Sequence, residues 1–494
     1  MRQSGILMHI TSLPGPHGVG TMGKHAFAFV DFLANAGQRY WQILPLNPTG
    51  FGDSPYQSCS AFAGNHYLID LELLVEEGLL KQEEVDAVQW CRSDTKVDYG
   101  LLYNNRMSIL KKAFSRHADT GDFARFRAEN DSWLPEFVAY MGLKDKFGGK
   151  PWYDWPEDVR RFGPDAIAAA REYLGAEGVQ FYCFTQYLFF KQWIALRNYA
   201  HSKDIRIIGD VPIYVPRDSV EVWKDPRLFQ LDETLNPKVV AGCPPDAFTA
   251  DGQLWGNPIY DWDAMKEENY AWWIRRLDAA GKLYDVVRLD HFRGLEAYWA
   301  IPYGDTTARN GKWVKGPDMD FIRALKRDLP HLQMIAEDLG YLTQEVIDLR
   351  DASGYPGMKV LQFGFDPREP ADYLPHTYTR NSVCYTGTHD NMTMRQWFDE
   401  ADDEMRNFAA DYLNLTREED FVWSAIRAAL GSVSDLAVIQ MQDVLELGSL
   451  GRMNFPGTLS DSNWTWRAND DILDENLAKK ILAMTKLFGR YCGK

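Results

Sequence analysis

Three stretches decide the fold: Tyr284-Asp285-Val286-Val287-Arg288-Leu289-Asp290, Gln333-Met334-Ile335-Ala336-Glu337-Asp338, and Ser382-Val383-Cys384-Tyr385-Thr386-Gly387-Thr388-His389-Asp390-Asn391. In each, a short apolar run of strand character ends on an acid, and an α/β barrel gathers its reactive groups at the C-terminal ends of its strands. Two carboxylates of opposite protonation state, with a third to steady developing positive charge, suit glycosidic-bond chemistry. Alternation along the first run puts Arg288 and Asp290 on one side of the strand and Val287 and Leu289 on the other. A neighbouring guanidinium is expected to lower the Asp290 pKa and keep it ionised, as a nucleophile must be. Glu337, facing the carboxylates Asp290 and Asp390, is expected to be raised by like charge, which suits a proton donor. Asp390 is expected to stabilise oxocarbenium charge or bind sugar hydroxyls, with His389 donating alongside. A lone strand-end acid is more often structural; three on strands four, five and seven of one barrel point to catalysis.

Outward from these runs, strand-like and helical patterns alternate along the chain. The strand candidates are Gly5–Ile10, Tyr40–Leu46, Ile205–Val211, Tyr284–Leu289, Gln333–Glu337, Met358–Phe363, Ser382–Thr386 and Leu436–Met441. These eight close a parallel barrel, so the expected fold is α/β, a (β/α)8 TIM barrel over 1–494 as one catalytic unit. Ala26, Phe27, Val30, Leu33 and Ala34 at helical spacing predict a helix stopped by Gly37. Helices are also expected over Met265–Ala280 (ending at Gly281), Met319–Leu329 (closed by Pro330) and Leu342–Ala352 (ending near Gly354). Two connections are too long for simple crossovers and predict large insertions after strands 2 and 3. Residues 47–180 read as mostly helical, with a pattern at Leu101–Phe114 and the piece Pro151-Trp152-Tyr153-Asp154-Trp155-Pro156. Residues 212–262 read as loop-rich and are expected to carry an active-site lid. There is no internal repeat, low-complexity tract or Ser/Gly linker.

The bulk numbers narrow the class. The 494 residues carry 45% hydrophobic side chains and a formal charge of −17, which argues against nucleic acid or an anionic membrane as partner. Cys59, Cys91, Cys183, Cys243, Cys384 and Cys492 form no CxxC pair and no metal spacing, as expected of reduced thiols. With no signal-peptide pattern at the N-terminus and no apolar run of spanning length, a cytoplasmic protein is expected. Gly18-Val19-Gly20-Thr21-Met22-Gly23 matches a dinucleotide-loop pattern. The required acid about twenty residues on is absent, since the chain reads Trp41-Gln42-Ile43-Leu44-Pro45. Close passage of backbones is the expected use of those glycines.

Val287-Arg288-Leu289-Asp290-His291-Phe292-Arg293-Gly294-Leu295-Glu296, Ile335-Ala336-Glu337-Asp338-Leu339-Gly340 and Gly387-Thr388-His389-Asp390-Asn391 resemble the amylomaltases. These are the 4-α-glucanotransferases, or disproportionating enzymes, of glycoside hydrolase family 77. Leu13-Pro14, Trp41-Gln42-Ile43-Leu44-Pro45-Leu46, Ser54-Pro55-Tyr56-Gln57, Gly209-Asp210-Val211-Pro212 and Pro244-Pro245-Asp246 running to Leu254-Trp255-Gly256-Asn257-Pro258 are similar too. The resemblance ends at Arg452-Met453-Asn454-Phe455-Pro456-Gly457-Thr458 and spans nearly the whole chain. It implies that Asp290 is the nucleophile, Glu337 the acid, and Asp390 the residue gripping the distorted sugar beside His389 and Arg288. It further implies that Asp210 and Tyr56 support that sugar, with Ser54 in the same motif, that Gln253 and Trp255 belong to a loop closing over the donor and acceptor sites, and that Asn454 contacts sugar. The implied substrates are α-1,4-glucans, with a glucan or glucose 4-hydroxyl as acceptor, and no cofactor or metal. An α-amylase-like hydrolase and a silent glucan-binding protein are the rival readings.

Overall fold

The computed structural model describes residues 2–119, 121–245, 249–340 and 342–491; Asp246 of the Pro244-Pro245-Asp246 motif and Cys492 lie outside them. Eight parallel strands close a barrel in the order β1 (Gln3–Leu7), β12 (Leu436–Gln440), β11 (Ser382–Tyr385), β10 (Gly357–Val360), β9 (Gln333–Ala336), β6 (Val286–Leu289), β3 (Arg206–Val211) and β2 (Tyr40–Gln42). Each overlaps one of the eight sequence candidates, although β1, β2 and β10 end three or four residues earlier than expected. Every residue of β6 and of β11 is buried, the near-continuous apolar reading of a strand packed on both faces. The first helix, Lys24–Asn35, buries Ala26, Phe29, Val30, Phe32 and Leu33 against the barrel, and Gly37 with φ 69° turns the chain towards β2. The ring closes where β1 pairs β12, with Ile6 opposite Ile439. There Arg490 donates to the Gln3 carbonyl at 2.7 Å and to the Leu430 carbonyl at 2.7 Å.

Between β2 and β3 the chain forms helices Tyr99–Phe114, Leu134–Lys146 and Pro164–Ser202 among shorter ones. The last is broken at Gly175, where φ is 64° and ψ 179°. Its C-terminal part is the barrel's own layer, with the Trp193 indole donating to the Leu283 carbonyl at 3.2 Å. The expected boundary at 180 therefore falls inside a helix that belongs to both insertion and barrel.

Two expectations need correction. Residues 212–262 are not merely loop-rich: β4 (Val239–Cys243) and β5 (Gln253–Pro258) lie in a four-stranded antiparallel sheet with β7 (Ala297–Pro302) and β8 (Lys312–Lys315), in the order β5-β4-β7-β8. Half of that sheet thus comes from the connection after β6. Gly and Pro within β4 and β5 weaken their strand signal, and a bulge between Val240 and Gly242 interrupts the alternation. The helix expected over Met265–Ala280 is two, Trp262–Glu267 and Ala271–Leu283. Asn269 and Tyr270 break it with φ of 55° and 58°, and Gly281 lies inside the second piece. The helices Asp318–Asp328 and Gln344–Ser353 form close to where they were expected, the latter capped by Gly354 at φ 69°.

Glycine-rich points hold the barrel close-packed. A Cβ on Gly20 would sit 1.9 Å from the Ile10 carbonyl oxygen, so the GxGxxG match is a backbone crossing. A Cβ on Gly209 of β3 would sit 2.1 Å from the Tyr284 ring. Gly209→Ala must displace that buried ring or push β3 inward, one residue from Asp210. The expected cost is about 1–3 kcal/mol of stability, together with lost activity. A urea melt coinciding with wild type would show that the contact is slack.

Candidate active site

Parallel register brings the first two groups together. Asp210 of β3 lies opposite Arg288 of β6, so their side chains share the inward face. One Arg288 nitrogen, Nη1, donates to Asp210 Oδ1 and Oδ2 at 2.8 and 2.7 Å and to Asp290 Oδ1 at 2.9 Å. The Arg288 and Asp210 side chains are 3% and 0% exposed, whereas 27% of Asp290 stays open to the cleft. Asp210 and Arg288 were both expected at the sugar; in the structure they are bonded to Tyr56 and Asp290. The Tyr56 hydroxyl donates to Asp210 Oδ2 at 2.8 Å. Ser54 is a turn residue here, its Oγ accepting the Tyr56 N–H at 3.2 Å and so setting where that ring leaves the chain.

The backbone continues this pairing beyond the strand ends. Asp290 N–H donates to the Val211 carbonyl at 3.0 Å and Glu337 N–H to the Leu289 carbonyl at 3.1 Å, so both acids leave a fixed frame. Glu337 is pinned again through its carboxyl group: Oε2 accepts the His291 N–H at 2.6 Å and Oε1 the Leu339 N–H at 3.0 Å. His291 reaches that position only in the left-handed region, at φ 52°, a conformation that costs a residue with a side chain. Sequence reasoning assigned His291 no role. The signal available was its place directly after Asp290, where the chain must turn sharply to aim an amide at the neighbouring strand. Next along β9, Asp338 accepts the Met358 N–H at 2.7 Å and an Arg350 nitrogen at 2.7 Å, locking β9 to β10.

The third acid sits across the cleft on the loop after β11. Asp390 Oδ1 accepts from the Asn454 amide at 2.7 Å, and His389 Nε2 lies 3.4 Å from Oδ2. The His389 ring stacks on Tyr56 with centroids 5.0 Å apart and planes 16° apart, so the loops after β2 and β11 meet over the barrel mouth. Trp464, which the sequence did not single out, tilts against both rings, at 5.7 Å from Tyr56 and 5.9 Å from His389. On the opposite rim, Trp255 of β5 stands edge-on to the His291 ring at 4.8 Å and donates its indole N–H to Gln253 Oε1 at 3.1 Å.

Electrostatics correct two expectations. Burial pushes the Asp290 carboxyl well above the usual carboxylate range, opposed chiefly by Arg288, whereas Arg288 alone was expected to hold it low. Burial outweighs the guanidinium, and the like charges of Asp210, Glu337 and Asp390 push the same way. Glu337 is raised as expected, but chiefly by burial, with Asp338 the like-charged neighbour. His389 is lowered and His291 is lowered to about 3, both by burial first, so the cleft is lined by neutral imidazoles. Among the described residues no group of three or more His, Cys, Asp or Glu side chains is arranged to hold a metal ion.

Comparison with known proteins matches this geometry to one family. The family model described as 4-alpha-glucanotransferase matches residues 8–473. A 4-alpha-glucanotransferase of Clostridium butyricum is 47% identical over 487 residues, covering 98% of this chain and 100% of the relative. One from Streptococcus pneumoniae is 48% identical over 494 residues, covering 99% of this chain and 97% of its own. The solved amylomaltase from Streptococcus agalactiae in complex with acarbose superposes with a TM-score of 0.96 at 41% identity, covering 99% of this chain and 100% of that one.

Proposed function

Because this chain belongs to the 4-alpha-glucanotransferase family and transfers α-1,4-glucan segments as that family does, we propose that it works by retaining double displacement on Asp290 and Glu337. The observation carrying this reading is that the two carboxyls leave hydrogen-bonded neighbouring backbones, one tied to a guanidinium and the other to two amides. Asp210, Asp290 and Glu337 surround a single buried cation, so the cluster retains a proton well above the ordinary carboxylate range. Direct bonding to Arg288 favours the microstate in which Asp290 is ionised and Glu337 holds that proton.

In the first half-reaction Glu337 gives its proton to the glycosidic oxygen. Asp290 attacks the anomeric carbon, the C–O bond breaks, and the shortened glucan leaves with a free 4-hydroxyl. In the second, ionised Glu337 takes the proton of an acceptor 4-hydroxyl, whose oxygen displaces Asp290 and restores the α-1,4 bond. Asp390 and Asn454 bind hydroxyls of the distorted ring, and Tyr56, stacked on His389, offers its face to the sugar C–H surface. Glucose or a maltooligosaccharide serves as acceptor, and the segment 212–262 with Trp255 forms the cover. Charge, unbridged Cys59, Cys91, Cys183 and Cys384, and the lack among described residues of any helix long and apolar enough to cross a membrane support a cytoplasmic setting.

Incubation with maltotriose alone tests the function. Transfer gives glucose and a ladder of longer chains; only shorter sugars would mean hydrolysis, and no change would mean binding.

Glu337→Gln should abolish transfer from ordinary glucans yet still be loaded by an α-glucosyl fluoride, whose leaving group needs little protonation. Mass spectrometry should find the glycosyl ester on Asp290; a folded variant that never accumulates the adduct contradicts the assignment.

Water competes for that ester at roughly 55 M, so an acceptor sugar wins only by being bound and oriented. Trp255, seated against His291 beside Asp290, is the platform for it. Trp255→Ala should raise the ratio of hydrolysis to transfer, measured as reducing ends released against glucose transferred. An unchanged ratio in a folded variant would sink that role.

A further inference from the structure

Asp443 belongs to none of the motifs read above. It lies just past β12 in the short helix Met441–Val444, wholly buried, with burial pushing its carboxyl up to about 7. Its hydrogen-bond partners are neutral donors. Oδ2 accepts the Thr386 hydroxyl at 2.5 Å and the Gln440 amide at 3.5 Å, and Oδ1 accepts the Met394 N–H at 2.7 Å. Thr386 is the residue following β11, and Met394 opens the helix Met394–Glu400, where its N–H has no intrahelical acceptor. Everything between them is the segment 387–393 that carries His389 and Asp390. One carboxylate therefore holds both feet of that loop.

The surroundings follow the same plan. The Gln362 and Gln440 amides both reach the Met392 carbonyl, at 2.6 and 3.4 Å. A Cβ on Gly387 would meet Gln440 Nε2 at 2.3 Å and Gln362 Nε2 at 2.8 Å, so glycine there admits both glutamines. Inside the loop, Asn391 Oδ1 accepts from the Thr388 N–H and hydroxyl, each at 2.8 Å. At the tip, among the described residues, Arg452 and Asn454 reach Asp390 from another element, through its carbonyl at 3.3 Å and its carboxylate at 2.7 Å. Asp390 is open to the cleft, His389 is packed under Tyr56 and Trp464, and the feet are anchored in the core.

We propose that Asp443 is a positioning residue for glucan transfer: by tying Thr386 to Met394 it sets where Asp390 and His389 meet the sugar. This rests on the reading of Asp390 as a sugar contact. Only a side chain with two polar ends reaches Thr386 and Met394 at once, which gives a buried carboxylate a function that an apolar residue of similar size lacks. Displacing a contact by an ångström is enough to cost about a hundredfold in rate.

Asp443→Ala removes both acceptors and should lower kcat for maltotriose disproportionation about tenfold or more in a folded enzyme. Asp443→Asn keeps Oδ1 for Met394 and offers an amide to the Thr386 oxygen, and should stay within about threefold of wild type. A merely structural role would lower the melting temperature of the Ala variant without changing kcat of its folded fraction. Folded Asp443→Ala with kcat within twofold of wild type overturns the proposal, as does Asp443→Asn falling as far as Ala. Should the Ala variant fail to fold, Thr386→Val against Thr386→Ser decides: loss in Val with retention in Ser supports the clamp, and equal activity overturns it. Asp390→Asn measured in parallel separates the premises. If it stays active, the reading of Asp390 fails; if it is inactive while Asp443→Ala is active, only the clamp fails.

Discussion

One guanidinium serving two carboxylates is the constraint on which the centre of this barrel depends. Arg288 meets Asp210 across the β3–β6 register and Asp290 two residues along its own strand, so strand geometry alone fixes the triad. Burying such charges is expensive unless the hydrogen bonds are complete, and removing the cation would strand two acids in the core. The arrangement is also short of positive charge once Glu337 is counted. Burial and that shortage together raise the Asp290 and Glu337 carboxyls above the ordinary carboxylate range. Stability and reactivity are here the same electrostatic fact seen from two sides.

Precision around that centre comes from main-chain amides and from buried side chains together. Glu337 is held by two amides, one of them supplied by His291 in a left-handed conformation. The Asp390 loop is anchored at both feet by one buried carboxylate. Groups fixed through backbone lose little freedom when substrate binds, which is the physical content of preorganisation. The aromatic rims differ in kind. Tyr56, His389 and Trp464 lie in mutual contact, whereas Trp255 rises from a small separate sheet and meets the rings of His291 and Tyr214.

The barrel was legible in the sequence because each of its strands is a short apolar run ending on polar residues, and period-two alternation already aligned Arg288 with Asp290. The small sheet was not, because Val239–Cys243 and Gln253–Pro258 carry glycine and proline, and their partners come from a distant connection. Spacing also failed at Asn269 and Tyr270, where an unmarked left-handed pair cuts one helical pattern into two. The candidate acids were visible as residue types, but the sharing of Arg288 was not, since it requires knowing which strand lies beside β6. The same blindness hid Asp443, whose meaning rests on which two donors converge on it, and that is tertiary information.

The seam between β1 and β12 carries a consequence for how this chain comes to be folded during synthesis. β1 leaves the ribosome long before β12, so one of its edges has no partner until Leu436–Gln440 has followed, and the Arg490 bridge to Gln3 arrives later still. For most of translation a nascent sheet of parallel strands therefore exposes an apolar, hydrogen-bond-hungry margin, the surface on which chains misassociate.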